Sequence, residues 1–260
     1  MRIGRRRAVI LAAAAAGVLA TAGVALAAAN STVSFNFTPS NLPTNTFMAG
    51  KLNVHTHTNY TNPGNANPGG ATERAQLFFD DDGKLNANAT PRCTPSGGDL
   101  ANAMSQCASA KVGSGTAKAS ANGAFTINGC VLVFNGKKNA AGQNTVILFT
   151  RVNVANPSTM TCGSPATNHQ GNTTVILKGV LKANPSTLTG DYSGGKQLDI
   201  YNITSVAAFP LTDFNVNVQK GNFIQARCHD GDHKLNLQTK FTYNGGSPST
   251  QTVNASKACT

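Results

Sequence analysis

The sequence predicts an all-β fold: a mainly antiparallel sandwich or barrel of about ten or more strands, with one short helix near residues 99–109. Two observations support this fold class. Apolar and polar residues alternate with a period of two along most of the chain, and Gly, Asn and Pro interrupt the alternation at short intervals. Charged residues are only 12% of the 260 residues, about half of the usual ~25%, which excludes a charge-rich helical or coiled-coil protein.

The alternation defines the individual strands. Residues 52–60 place Leu52, Val54 and Thr56 on a face directed to a core, with Asn53 and His55 on the solvent face. The same pattern predicts strands at 74–79, 131–135, 145–154, 173–182, 211–219, 222–228 and 234–243. Turn-forming pairs separate them: Asp82-Gly83, Asn135-Gly136, Asn184-Pro185, Lys220-Gly221 and Asp230-Gly231.

The N-terminus predicts export. Four arginines among the first seven residues precede an apolar stretch, 8–27, whose small-residue end fits cleavage by a signal peptidase after Ala27 or Ala29. An uncleaved membrane anchor is the alternative, because about twenty apolar residues can span a bilayer. We expect a signal peptide at 1–27 and a single secreted, extracellular β-rich domain at 28–260, with no membrane span after cleavage.

Part of the positive charge belongs to the signal. The formal net charge is +11, and removal of residues 1–27 takes away four arginines and no acidic residue, which leaves +7. The remaining Lys and Arg are scattered, and Lys137-Lys138 is their only adjacent pair. No basic tract argues for nucleic acid, so the expected partner is an extracellular or cell-envelope component.

The six cysteines also fit export. An even number of cysteines without a C-x-x-C pair predicts three disulfides in an exported chain. Fifteen connectivities are open, and we expect nearest neighbours to pair: Cys93–Cys107, Cys130–Cys162 and Cys228–Cys259. The first bridge would hold the helix at 99–109, either as a cover over a sheet edge or barrel end or as a lid over a binding site.

Two clusters contain candidate metal ligands: His55, His57, His229 and His233. The first pair shares one face of a strand, about 7 Å apart, and the second pair flanks Asp230-Gly231-Asp232 in a predicted hairpin turn. Imidazole and carboxylate groups together can bind zinc or copper, and Asp80-Asp81-Asp82 can offer oxygen ligands to calcium. The alternatives are solvent-exposed strand histidines and solvated turns. Apart from such a divalent metal, no cofactor is expected.

Catalytic motifs are missing from the sequence. It has a single glutamate, Glu73, and no G-x-S-x-G, H-E-x-x-H, dinucleotide-binding G-x-G-x-x-G or P-loop motif. These observations favour a non-catalytic structural or binding role for a secreted, disulfide-stabilised extracellular or cell-envelope domain. The alternative is a secreted hydrolase or lyase that acts on polysaccharide on a β-sandwich scaffold, with its carboxylates drawn from the scattered aspartates.

Several short segments follow one another along most of the chain: Gly50-Lys51-Leu52, Leu77-Phe78-Phe79-Asp80, Pro91-Arg92-Cys93, Cys107, Ala110-Lys111-Val112-Gly113-Ser114-Gly115, Ala226-Arg227-Cys228 and Phe241-Thr242-Tyr243. This order resembles a group of bacterial secreted β-rich proteins of unknown function. The resemblance implies one β-rich exported domain and supplies no active site. The pair Cys130 and Cys162 departs from the pattern of that group.

Overall fold

The computed structural model describes residues 29–60, 71–121, 125–152, 162, 173–203, 210–244 and 249–259, so the predicted signal at 1–27 lies outside the described residues. Within them the chain forms fourteen strands and one α-helix, α1 (Leu100–Cys107). The strands are β1 (Ala29–Thr38), β2 (Met48–Ala49), β3 (Lys51–Tyr60), β4 (Ala71–Phe79), β5 (Gly83–Leu85), β6 (Lys111–Ala121), β7 (Phe125–Gly136), β8 (Thr145–Val152), β9 (Thr173–Ala183), β10 (Lys196–Tyr201), β11 (Leu211–Val218), β12 (Ile224–Ala226), β13 (Lys234–Asn244) and β14 (Thr250–Ala258).

Eleven strands form one antiparallel sheet in the order β1-β3-β11-β6-β7-β8-β9-β10-β4-β13-β14. Its edge strands β1 and β14 lie side by side, where Ser31 N donates to Gln251 Oε1 at 2.7 Å and Gln251 Nε2 donates to Ser31 O at 3.1 Å. The sheet is therefore nearly closed and barrel-like. The predicted all-β fold is confirmed, and of the two architectures left open the chain adopts the barrel.

Alternating burial shows which face of the sheet points inward. Along β13, the buried residues Leu235, Leu237, Thr239, Phe241 and Tyr243 are separated by more exposed polar residues. Inward residues of all eleven strands pack into one hydrophobic core. The core therefore lies inside the barrel, and the outer face carries most of the polar side chains.

The two ends of the barrel differ. At one end, which we call the covered end, the three-stranded sheet β2-β12-β5 packs against the barrel, and Ala87 and Phe223 from neighbouring loops are buried in the core. At the opposite end, β3, β6, β8, β10 and β13 finish, and β1, β4, β7, β9, β11 and β14 begin.

The helix α1 lies on the outer face of β7 and β8. Its residues Leu100 and Ala103 pack against Leu132 and Phe149, and the side chain of Asp99 caps its N-terminus. The helix predicted at 99–109 is confirmed. It covers a sheet face, rather than an edge or a barrel end, because the outward residues of these two strands are apolar and have to be buried.

All three disulfides join nearest neighbours, as predicted. The Cα–Cα distances are 5.6 Å for Cys93–Cys107, 5.4 Å for Cys130–Cys162 and 6.0 Å for Cys228–Cys259. The first bridge holds the end of α1. The second ties β7 to the connection between β8 and β9, and the third ties the chain after β14 to the segment before β13.

A predicted turn and a predicted strand near the covered end differ from the structure. Asn135-Gly136 is not a turn but the end of β7, where the fully buried Asn135 side chain donates from Nδ2 to the carbonyl oxygens of Ala87 and Thr90, both at 2.9 Å. The predicted strand 222–228 is reduced to β12, because that segment leaves the barrel and joins the small sheet.

The segment 229–233 is not a hairpin turn between paired strands. β12 pairs with β2 and β5, whereas β13 lies between β4 and β14 in the barrel. The segment therefore connects the two sheets at the covered end. Within it, His233 adopts a φ of 52° and donates its N–H to Asp230 O at 3.1 Å.

Candidate functional site

The interior of the barrel contains an apolar cavity of about 100 Å³. Inward residues of β3, β4, β8, β9, β10 and β11 line it, together with Phe223 at the covered end. Eight strands make a barrel that its side chains just fill, and eleven strands enclose more space than the Val, Leu and Thr side chains occupy here. Sequence analysis missed the cavity, because a strand facing a cavity and a strand facing a filled core show the same alternation.

The chemistry of the lining changes along the barrel. Leu85 and Phe223 contribute apolar surface at the covered end, and the opposite half carries the hydroxyl groups: Thr56, Thr58, Thr72 and Thr212. Val54 and Phe214 face inward yet are only partly buried, which fits open space beside them. The cavity can therefore accept an apolar body and meet a polar group at one end.

Six of the ten acidic residues gather at the covered end, and we call this group the aspartate cluster: Asp80, Asp81, Asp82, Asp191, Asp230 and Asp232. They come from the turn after β4, the loop before β10 and the segment before β13. Asn236 Nδ2 contacts two of them, at 3.2 and 3.4 Å, and Arg227 Nη2 donates to a third at 3.0 Å. Folding thus creates a negative region in a chain with a positive net charge.

Asp82 is a buried member of the cluster whose carboxylate accepts several hydrogen bonds. It is 0% exposed; its Oδ1 accepts from Arg227 Nε at 2.9 Å, and its Oδ2 accepts from His229 N at 2.8 Å and Asp230 N at 3.3 Å. Three donors satisfy a carboxylate that burial would otherwise make costly. Asp82 therefore holds the segment that connects the two sheets, next to the bridge at Cys228.

Asp80 is buried in a different way. It is 2% exposed and accepts a hydrogen bond from Asn236 N. Burial raises the pKa of Asp80 to about 8; the hydrogen bond from Asn236 opposes this shift, and the charges of Asp82 and Asp81 add to it. Burial also raises the pKa of Tyr192, to about 12, with Asp80 as a neighbouring charge. The interpretation of 80–82 as a solvated turn is wrong for its two buried members.

His55 and His57 lie on the outer face of β3, as predicted, and converge on one carboxylate. His55 Nε2 is 3.2 Å and His57 Nδ1 is 3.3 Å from Oδ2 of Asp213, and the exposed side-chain fractions of the two histidines are 39% and 42%. Sequence analysis missed Asp213. This residue is 156 positions from His57 in the chain, and the pairing of β3 with β11 brings the two together.

The four predicted metal ligands divide between two places. In the described part of the chain, one group of three His, Cys, Asp or Glu side chains brings its ligand atoms within 4.8 Å of one another, and it consists of Asp82, His229 and Asp230. His229 Nδ1 lies 3.6 Å from Asp230 Oδ1. His233 is exposed nearby and does not belong to this group. Metal binding stays a prediction.

The helix α1 has eight residues, and no helix in the described ranges is long and apolar enough to cross a membrane.

The resemblance of short segments to bacterial secreted proteins stays a prediction. The chain matches no protein-family model, no curated protein and no solved structure.

Proposed function

We propose that this protein is a secreted extracellular or cell-envelope domain that binds a small apolar molecule inside its barrel, without converting it chemically. The observation that carries the proposal is the apolar cavity of about 100 Å³. Removing apolar surface from water is favourable by about 25 cal/mol per Å². An engineered cavity of about 150 Å³ lined by Leu, Ile and Phe binds benzene, so we expect a ligand with a ring or short chain of about six carbon atoms.

Rigidity supports the same proposal. Three disulfides and the buried carboxylate of Asp82 hold the covered end and the strands around the cavity. A cavity that keeps its shape without a ligand binds with less loss of conformational entropy. Disulfides are typical of proteins that work in oxidising compartments, which agrees with the predicted signal at 1–27.

The experiment is a titration with benzene, followed by NMR and by thermal unfolding. We expect saturable binding with a Kd below about 1 mM and a rise in Tm. Ala75 lines the cavity and is buried, so Ala75→Leu should fill space and weaken binding at least about tenfold. Ala183→Leu is the matched control, because Ala183 is exposed at the end of β9. Absence of binding by the wild type, or equal binding by Ala75→Leu, contradicts the proposal.

A divalent transition-metal site is a second candidate, favoured by the ligand atoms of Asp82, His229 and Asp230. A carboxylate has about four lone-pair sites, and those of Asp82 accept three hydrogen bonds, which leaves one for a cation. The imidazole and the Asp230 carboxylate would complete three ligands. Such a site would bring a positive charge into the aspartate cluster, where the Arg227 guanidinium already pairs with Asp81 and Asp82.

Calorimetry with Zn²⁺ at a pH of about 7.5 tests this candidate. His229→Ala should abolish binding, and His233→Ala should leave it intact, because only His229 belongs to the group. Affinity should fall as the pH decreases, since the ligating imidazole must be neutral. His55→Ala in the same titration tests the predicted site on β3. Equal binding by the wild type and His229→Ala contradicts the site at the aspartate cluster.

The hydrolase or lyase alternative gains little from the aspartate cluster. A carboxyl that protonates or attacks a polysaccharide has to contact it. Asp80 and Asp82 are 2% and 0% exposed, and hydrogen bonds from other parts of the chain already occupy them. Turnover of a polysaccharide panel by the purified protein would revive this alternative.

A further inference from the structure

We propose that the ligand of the barrel cavity is an uncharged amphiphile, with an apolar body toward the covered end and one hydroxyl or carbonyl group beside Thr56. This inference rests on the proposed function, since it names the class of molecule that the same cavity takes. Three features of the lining carry it: the one-sided placement of the hydroxyl groups, the Thr56 hydroxyl, which has no partner among the described residues, and the outward direction of the Asp213 carboxylate.

The polar groups of the lining occupy one half of the barrel. On β3, Leu52 lies at the covered end and Thr58 lies six residues further along, which is about 20 Å in an extended strand. Thr72 faces the cavity from the start of β4. At the covered end, Leu85 and Phe223 present only apolar atoms from their side chains. A ligand with one polar end is therefore bound in one orientation.

Thr56 differs from the other three threonines because its hydroxyl has no hydrogen-bond partner among the described residues. It faces inward from β3, opposite Val33 and Phe214 on the neighbouring strands, and remains partly exposed. The other hydroxyls have partners: Thr58 Oγ1 lies 2.7 Å from Ser31 Oγ, Thr72 Oγ1 lies 3.5 Å from Tyr60 Oη, and Thr212 Oγ1 donates to Lys118 O at 3.2 Å. The Thr56 hydroxyl can donate to and accept from a ligand.

The lining of the cavity excludes charged ligands, because the one charged side chain among its described residues is directed to the outer face of the barrel. Among the described residues that line the cavity, Asp213 is the one with a charged side chain, and its carboxylate binds His55 and His57 on the outer face. A carboxylate or ammonium group inside would have no opposite charge to pair with among the described lining residues, and burial of an unpaired charge is very costly. The polar end of the ligand is therefore neutral.

Three probes test this inference: benzene, hexan-1-ol and hexanoate. Each is titrated by NMR, at a pH of about 7.5, into the wild type and into two variants, Thr56→Val and Thr212→Val. Valine keeps the shape of threonine and removes the hydroxyl. We expect hexan-1-ol to bind about three- to tenfold more weakly to Thr56→Val than to the wild type, and benzene to bind both equally. Thr212→Val should bind hexan-1-ol like the wild type, because that hydroxyl is already engaged. Hexanoate should bind the wild type at least about tenfold more weakly than hexan-1-ol.

The outcomes separate the two proposals. If neither benzene nor hexan-1-ol binds the wild type, the proposed function fails and this inference fails with it. If benzene binds but Thr56→Val and the wild type have equal affinity for hexan-1-ol, the proposed function stands and the role of Thr56 is overturned. If hexanoate binds as tightly as hexan-1-ol, the exclusion of charged ligands is overturned.

Discussion

The phenol oxygen of Tyr243 lies 2.7 Å from Oγ of Ser31, a residue 212 positions away, and joins β13 to the first strand of the sheet. The same phenol lies 2.8 Å from Gln251 Oε1. Tyr243 and Ser31 are buried. These contacts close the barrel between β1 and β14, at the place where the backbone ladder of the sheet stops.

Tyr243→Phe should lower the free energy of unfolding by about 1–2 kcal/mol, because it leaves the buried Ser31 hydroxyl and the partly buried Gln251 amide with one partner fewer each. Urea denaturation measures this change. Tyr201→Phe is the control: Tyr201 is exposed on β10, and its effect should stay below about 0.5 kcal/mol. Equal effects of the two substitutions would argue against a role of the phenol in closing the sheet.

Asp82→Ala should be strongly destabilising, by about 3 kcal/mol, because it leaves the guanidinium of Arg227 and two backbone N–H groups without their buried acceptor. Asp81→Ala is the matched control. Its side chain is 35% exposed and contacts the same guanidinium, and the loss of an exposed ion pair costs about 1 kcal/mol or less. A ranking in which Asp81→Ala is the more harmful change contradicts the structural role of Asp82.

Asp80 should make stability depend on pH. Burial raises the pKa of Asp80 from 3.8 to about 8, so the folded protein keeps a proton that the unfolded chain releases between these values. The resulting stability is fully present below a pH of about 4 and is lost as the pH rises to about 8. Asp80→Asn stays neutral at every pH, so the variant should match the wild type near pH 4 and exceed its stability near pH 8.

Urea denaturation at several pH values between about 4 and about 8 measures this difference. Asp232→Asn is the control, because Asp232 is an exposed member of the same cluster. If the stabilities of the wild type and Asp80→Asn change in parallel with pH, Asp80 is ionised in the folded protein and the prediction is wrong.

Thr239→Val should stabilise the protein. Thr239 is 0% exposed, and its hydroxyl has no partner among the described residues. Valine has the same shape and removes an unsatisfied polar group, so a gain of about 1 kcal/mol is expected, measured as a higher urea midpoint. Thr242→Val on the outward face of β13 is the control and should have little effect. A loss of stability in Thr239→Val would mean that the hydroxyl is satisfied in solution.

Most strands with large apolar inward residues were assigned from the sequence pattern, but β1, which carries Phe35 and Phe37, was not. Strands without such residues were assigned poorly. β6 has Gly113, Gly115 and Ala117 on its inward face, so its alternation carries little hydrophobic contrast. β14 consists mainly of small polar residues, most of them exposed. Neither strand was assigned from its pattern. Their pairing with neighbouring strands stabilises them, and that pairing is not written in their own composition.

The strand β10 was also not assigned from its sequence pattern, because a charged residue is buried on it. Asp199 is 1% exposed and accepts from Arg74 Nε and Nη2 and from Lys182 Nζ, each at 2.7 Å. Burial acts to raise the pKa of Asp199, but the hydrogen bonds from Arg74 and Lys182 outweigh it and lower the pKa. A carboxylate is tolerated in the middle of this sheet because β4 and β9 supply its partners.

The sequence by itself determined the fold class and the short helix, and it favoured the disulfide pairs that the structure shows. These features depend on local periodicity or on cysteines only 14 to 32 residues apart. The tertiary structure alone decided that the sheet closes, that a cavity remains inside it, and that Asp82 meets Arg227, 145 residues away. The physical reason is that alternation shows which face of a strand is buried but does not show which strand lies beside it. The cavity, the aspartate cluster and the contact of His57 with Asp213 all depend on the order of the strands in the sheet.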